Sequence, residues 1–168
     1  TKIIFSSDDK KIPTIFLAYA NDHIEGQEHL RNLEIEISNI KKRLEKAESE
    51  QLCRVITLEN ATVDLILSVF QECRDTIAIF HFAGHANGFH LLLKSESGYL
   101  KTAYAGGLAT FLGQQKALEL VFLNGCSTEH QVQGLLNANC SSVIATSEPI
   151  DDKVAKDFAT YFYTLSAT

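Results

Sequence analysis

Seven residues, Thr76-Ile-Ala-Ile-Phe-His-Phe82, constrain the fold of this chain more than any others. They are of strand length and hydrophobic on both faces. A strand of that kind belongs in the middle of a parallel sheet with helices over each side. The rest of the pattern agrees. Thr14 to Tyr19, after Pro13, is a continuous apolar run of strand length. Leu30, Leu33, Ile37, Ile40 and Leu44 fall on one face of a helix, and Glu34, Glu36, Lys41, Lys42, Arg43 and Glu45 are placed on the opposite face. That stripe covers only two heptads, so a packed surface helix is expected rather than a coiled coil. Arg54 to Thr57 is a short strand, and Val63, Ile66, Leu67 and Phe70 mark a second amphipathic helix. Phe89–Leu93 and Tyr99–Thr102 flank Ser95-Glu-Ser-Gly98 as a polar hairpin. A short helix within Gly107–Gly113, a buried strand Leu118–Leu123, a helix Gln131–Asn137 and a strand Ser142–Thr146 follow. Asp151 is placed to cap a last helix whose buried stripe is Val154, Ala155, Phe158, Ala159 and Phe162. The expected fold is α/β: three layers with a mostly parallel central sheet flanked by helices.

Composition removes whole classes of function. With 15 basic against 21 acidic side chains the net charge is −6, which argues against direct nucleic-acid contact and against a polybasic membrane anchor. No apolar run is long enough for a transmembrane helix, and the first residues do not resemble a signal peptide. A cytoplasmic chain is expected. The length of 168 residues fits one domain, residues 1–168, with 1–13 as an N-terminal extension. Methionine is absent even at position 1, so the chain is expected to be a piece of a longer protein. Cys53, Cys73, Cys126 and Cys140 are irregularly spaced with no CxxC, which points to free thiols; all but Cys126 are expected as small buried hydrophobes.

Ligands of open parallel sheets sit beyond the carboxyl ends of the strands. Two buried strands run into reactive residues there. One leads into Ala83-Gly84-His85-Ala86-Asn87-Gly88 and the other into Asn124-Gly125-Cys126-Ser127-Thr128. If the strands are parallel neighbours, His85 and Cys126 emerge at one edge. A thiol near neutral pH needs a base or an electropositive setting to act as a nucleophile, and histidine suits that task. The small residues around both let a substrate backbone approach and free amides for an oxyanion hole. His81 is expected as a strand residue under a helix, since ~13 Å of strand separates it from His85, too far for one metal ion. His23, His29, His90 and His130 have no ligand spacing, and no metal site is expected. Phosphate-binding, nucleophile-elbow and dinucleotide loops are all missing, and the position six after Cys126 is Val132 rather than the Arg of a Cys-phosphatase loop.

HFAGHANG with its hairpin, then VFLNGCST, then VIATSEPIDDKVAKDFATYFY resembles the CHAT domains of the caspase-like cysteine peptidases, and the GCS element is similar to that of separase in the same clan. The resemblance covers nearly the whole chain from Ile15 onward. It implies His85 as general base and acid, Cys126 as nucleophile, and an oxyanion hole from the amides of Cys126 and Ala86. This sequence has GHA where the family more often has GHG, and a left-handed backbone would strain an alanine there. The resemblance places Asn124, two before the nucleophile, in the pocket for the side chain preceding the scissile bond. The loop after the first strand would form another wall, where Asp22 or Glu25 could favour a basic side chain. It implies a regulated bacterial protease of defence or programmed death, acting on a protein or peptide substrate. An activating protein or domain is implied, and no cofactor. It also implies a C-terminal part beyond residue 168. Two rivals stand beside this reading: a catalytically inactive protein-interaction module of the same fold, and a flavodoxin-like domain that binds a small molecule.

Overall fold

β3, residues Ile77–Gly84, is the central strand of a five-stranded sheet in the order β2-β1-β3-β7-β8. The computed structural model describes residues 12–20, 32–84, 86–87, 90–94, 100–125, 128–147 and 151–166. The other strands of this sheet are β1 (Thr14–Ala20), β2 (Arg54–Glu59), β7 (Leu120–Asn124) and β8 (Ser142–Ala145). Every pairing in it is parallel. The two arms of the expected hairpin are β5 (His90–Lys94) and β6 (Leu100–Tyr104), antiparallel to each other; its turn, Ser95 to Gly98, lies outside the described residues. A two-residue strand, β4 (Ala86–Asn87), joins them to make a second, three-stranded sheet.

Helices α1 (Leu33–Ser49) and α5 (Asp152–Ser166) cover one face of the central sheet. Helices α2 (Val63–Glu72), α3 (Ala105–Gly113) and α4 (Val132–Asn137) cover the other, with a short 3₁₀ turn, Glu129–Gln131, before α4. The period of two in the strands assigns the side chains. Phe16, Phe80, Phe82, Val121 and Leu123 pack under α2, α3 and α4. Ile15, Leu17, Tyr19, Ala83 and Phe122 pack under α1 and α5. The first core is aromatic: Phe16, Phe70 and Phe80 meet with ring centroids 5.4–5.7 Å apart, at tilted to edge-on angles. Helix starts are set by local chemistry. The Thr62 hydroxyl accepts from the Leu65 amide at 3.2 Å, and the Asp151 carboxylate accepts from the Lys153 amide at 2.9 Å. The Asp151 cap was expected. Cys53, Cys73 and Cys140 are buried and free, as expected.

Two expectations are corrected. Glu36 does not lie on the outer face of α1; it is buried, only 2% exposed. It stands three residues after Leu33 and four before Ile40, so helical geometry carries it to the flank of the apolar stripe. On α5 the buried line is Ala155, Ala159 and Tyr163, while Val154 and Phe158 are 54% and 48% exposed. Two alanines one turn apart let the helix lie close to the sheet, and that approach turns Val154 and Phe158 outward. Phe158 meets Phe122 edge-on, at 5.7 Å between centroids.

Candidate active site

The chain order places β1 between β2 and β3, so the direction of sheet growth reverses at β1. Clefts of parallel sheets open at such a reversal, outside the carboxyl ends of the strands. There β1 ends at Ala20, β3 at Gly84 and β7 at Asn124. Ala20 pairs with Gly84, and Ala83 pairs with Asn124. Gly84 is required at its position. A Cβ there would lie 2.5 Å from the carbonyl oxygen of Ala20, well inside contact distance.

His85, Cys126 and Asp22 lie outside the described residues. The residues on either side of the two motif loops are described. Ala86 is in β4, paired with Leu91. Asn124 is buried, and its side-chain amide donates to both oxygens of Glu36 at 3.1 and 3.0 Å and to the carbonyl of Ala155 at 3.3 Å. Gly125 is buried, and its carbonyl accepts from the Thr146 hydroxyl just past β8. Thr128 is fully buried; its hydroxyl donates to the Leu123 carbonyl at 3.2 Å and accepts from the Thr146 amide at 2.9 Å. The segment entering and leaving positions 126–127 is thus fixed from α1, α5 and the end of β8. The sequence points to Asn124 as a pocket residue by resemblance alone, and does not point to Glu36 or Thr146, which hold this segment in the structure. The signal for Glu36 was its spacing from Leu33 and Ile40. Thr146 had none, because its contact to Gly125 spans 21 positions.

Beneath these strand ends is a polar cluster within an apolar layer. His81 is fully buried, packed under the helices as its strand position implied. Its Nδ1 is 3.2 Å from the Tyr163 hydroxyl, and its ring lies 4.5 Å from that of Phe122. Its Nε2 is 3.3 Å from a Glu36 oxygen but outside hydrogen-bonding geometry. The Tyr19 hydroxyl and the Asn124 Oδ1 are also buried, with no hydrogen-bond partner among the described residues.

Burial, and then the Glu36 carboxylate, push the hydroxyls of Tyr19 and Tyr163 well above the usual phenol range. The folded state therefore keeps both neutral where the unfolded chain ionises, at about pH 10. Above that pH the folded state binds more protons than the unfolded one, so their contribution, complete below pH 10, is lost as the pH rises. In an alkaline titration, two of the five tyrosines should yield phenolate absorbance only together with loss of far-ultraviolet dichroism. Smooth ionisation of all five in the folded protein would contradict this environment.

A five-stranded all-parallel sheet with helices on both faces is a three-layer α/β domain, the arrangement of the caspase-like fold. The CHAT domain model matches residues 1–167, and the chain belongs to the CHAT family, which is caspase-like and related to proteases. No curated protein matches the sequence. Among solved structures, Raptor of Chaetomium thermophilum is similar at 9% identity with a TM-score of 0.53, over 83% of this chain and 16% of that one. The chain thus corresponds to a small part of Raptor, and the likeness is one of fold. An activated DrrB receiver domain aligns at 12% identity and a TM-score of 0.40, covering 90% of this chain and 97% of that one. A putative pilus assembly-related protein of Burkholderia pseudomallei aligns at 12% and 0.42, covering 100% and 98%. Among the described residues no helix is long and apolar enough to cross a membrane.

Proposed function

We propose that this chain is a cysteine endopeptidase domain in which Cys126 is the nucleophile and His85 the general base and acid. One observation carries the reading. β3 and β7 are adjacent and parallel with Ala83 paired to Asn124, and His85 and Cys126 each follow their paired residue by two positions. Membership of a caspase-like family supports it.

In this reaction His85 takes the thiol proton and the Cys126 sulfur attacks the peptide carbonyl. The oxygen gains negative charge and is held by the amides of Cys126 and Ala86. Collapse breaks the C–N bond. The departing amine takes the proton from His85 and leaves a thioester. Water, deprotonated by His85, then attacks the thioester, releasing the acid and the thiol. Asn124 and Asp22 border the pocket for the side chain before the scissile bond. Family resemblance supports a regulated bacterial protease of defence or cell death, acting on a protein substrate under an activating protein or domain.

A peptidyl electrophile that alkylates thiols tests the reading. It should label the Cys126 peptide in the native chain and fail to label the His85→Ala variant. Equal labelling of both, or none in either, would leave the fold serving as an interaction module.

A further inference from the structure

We propose that Glu36 is a positioning residue for this reaction: from α1 its carboxylate holds the Asn124 side chain and so fixes the end of β7 from which the chain runs to Cys126. The proposal rests on the cysteine-peptidase reading for its chemistry, and on the buried geometry for its placement.

The site is an expensive one for a carboxylate. Glu36 is almost without solvent contact, on the flank of the stripe formed by Leu33, Ile37, Ile40 and Leu44. An aliphatic side chain there would extend the apolar layer at no cost in lost hydration, whereas a buried carboxylate must be compensated by donors. Its donors come from the sheet. The Asn124 amide spans both oxygens, and the His81 ring stands beside one of them. Asn124 can meet this environment in only one orientation. Both Glu36 and the Ala155 carbonyl are acceptors, so the amide nitrogen must face them. Two helices thereby set one side chain at the last residue of β7. The following carbonyl, Gly125, is held independently by Thr146, and the return of the chain at Thr128 is bonded to Leu123 and Thr146. Among the described residues of this set, Glu36 is the only carboxylate. It also sits in the first turn of α1, the helix into which residues 21–31 lead. One group therefore ties the start of that helix to the β7 exit.

Catalysis by a thiol depends on the position of its carbonyl target, and small displacements cost large factors in rate. Loss of the Glu36 hold should therefore lower kcat more than it raises KM.

The test compares Glu36→Met, similar in length and apolar, with Glu36→Gln, which keeps an acceptor for Asn124. Leu44→Ala serves as a control in the same layer without contact to Asn124. Turnover of a fluorogenic peptide and amide hydrogen exchange of residues 120–128 are measured for each. Glu36→Met should lose on the order of 10–100-fold in kcat and exchange faster in that segment. Glu36→Gln should stay within about 3-fold of the native chain in kcat, and Leu44→Ala should lower the Tm without selective exchange there. The proposal is overturned if Glu36→Met leaves exchange at 120–128 unchanged, if its kcat matches the native value, or if Glu36→Gln is as impaired as Glu36→Met. Absence of Cys126-dependent turnover in the native chain would sink the peptidase reading instead, and the exchange comparison would still decide whether Glu36 positions the segment.

Discussion

Cys126→Ala and His85→Ala should each reduce peptide turnover on the order of 10³-fold or more while leaving the Tm nearly unchanged. The size of the loss follows from mechanism. Without the thiol no covalent intermediate can form, and without the imidazole the thiol keeps its proton and the amine leaves unprotonated. The neutrality toward folding follows from position. In the chain both residues come after the last paired residues of their strands, Gly84 of β3 and Asn124 of β7, and so belong to neither strand. The other three thiols provide the contrast. Cys53, Cys73 and Cys140 belong to the cores. Burial pushes the thiols of Cys53 and Cys140 up, with Glu48 adding to the effect at Cys53, so both are less available as thiolates. Alanine at any of the three should preserve kcat and reduce only stability, by about 1–2 kcal/mol for the small volume removed. Thermal unfolding beside steady-state kinetics on all five variants decides the matter. Activity lost in Cys140→Ala at unchanged Tm would assign the nucleophile to the wrong thiol.

The sheet was legible because its strands have no polar face. Ile77 to Phe82 and Leu120 to Leu123 could be placed only between two layers, and once placed they put their exits at one edge. The hairpin was legible for the opposite reason: a polar stretch between two strand-like runs has few other solutions. Helix faces were harder. Glu36 was assigned outward because it is charged, yet its spacing made it part of the inner face, and its partners Asn124 and His81 come from strands far away in sequence. Val154 and Phe158 were assigned inward because they are apolar, but a helix seated on Ala155 and Ala159 turns Tyr163 to the sheet instead. Tyr163 then finds His81, a pairing over 82 positions that no local pattern encodes. In both helices residue type misled, and the missing information was which long-range partner waits on the other side.

Asn124→Asp should be among the most damaging single-atom-scale changes in the molecule, and its damage should depend on pH. The native amide donates to Glu36 at 3.1 and 3.0 Å. An aspartate of the same shape replaces the donor by an oxygen and sets two buried carboxylates against each other. They cannot both ionise at that distance, so the carboxyl pair must take up a proton. The Tyr19 and Tyr163 hydroxyls, the other ionisable groups facing this spot, offer no compensating positive charge. At neutral pH the loss of a donor to a buried charge and the added repulsion should cost about 3–5 kcal/mol. The sign of the pH effect follows from proton counting. The folded variant binds a proton that the unfolded chain, with carboxyls near pH 4, has already released, so stability falls as pH rises by at most ~1.4 kcal/mol per unit. Relative to the native chain, the variant should therefore recover on acidification from pH 8 toward pH 5, and recovery should cease near pH 4, where the unfolded carboxyls also become protonated. Urea unfolding of both proteins across this range measures the difference directly. A penalty that stays constant with pH would mean that the two side chains do not face each other as carboxylates, and the Glu36–Asn124 contact would have to be abandoned.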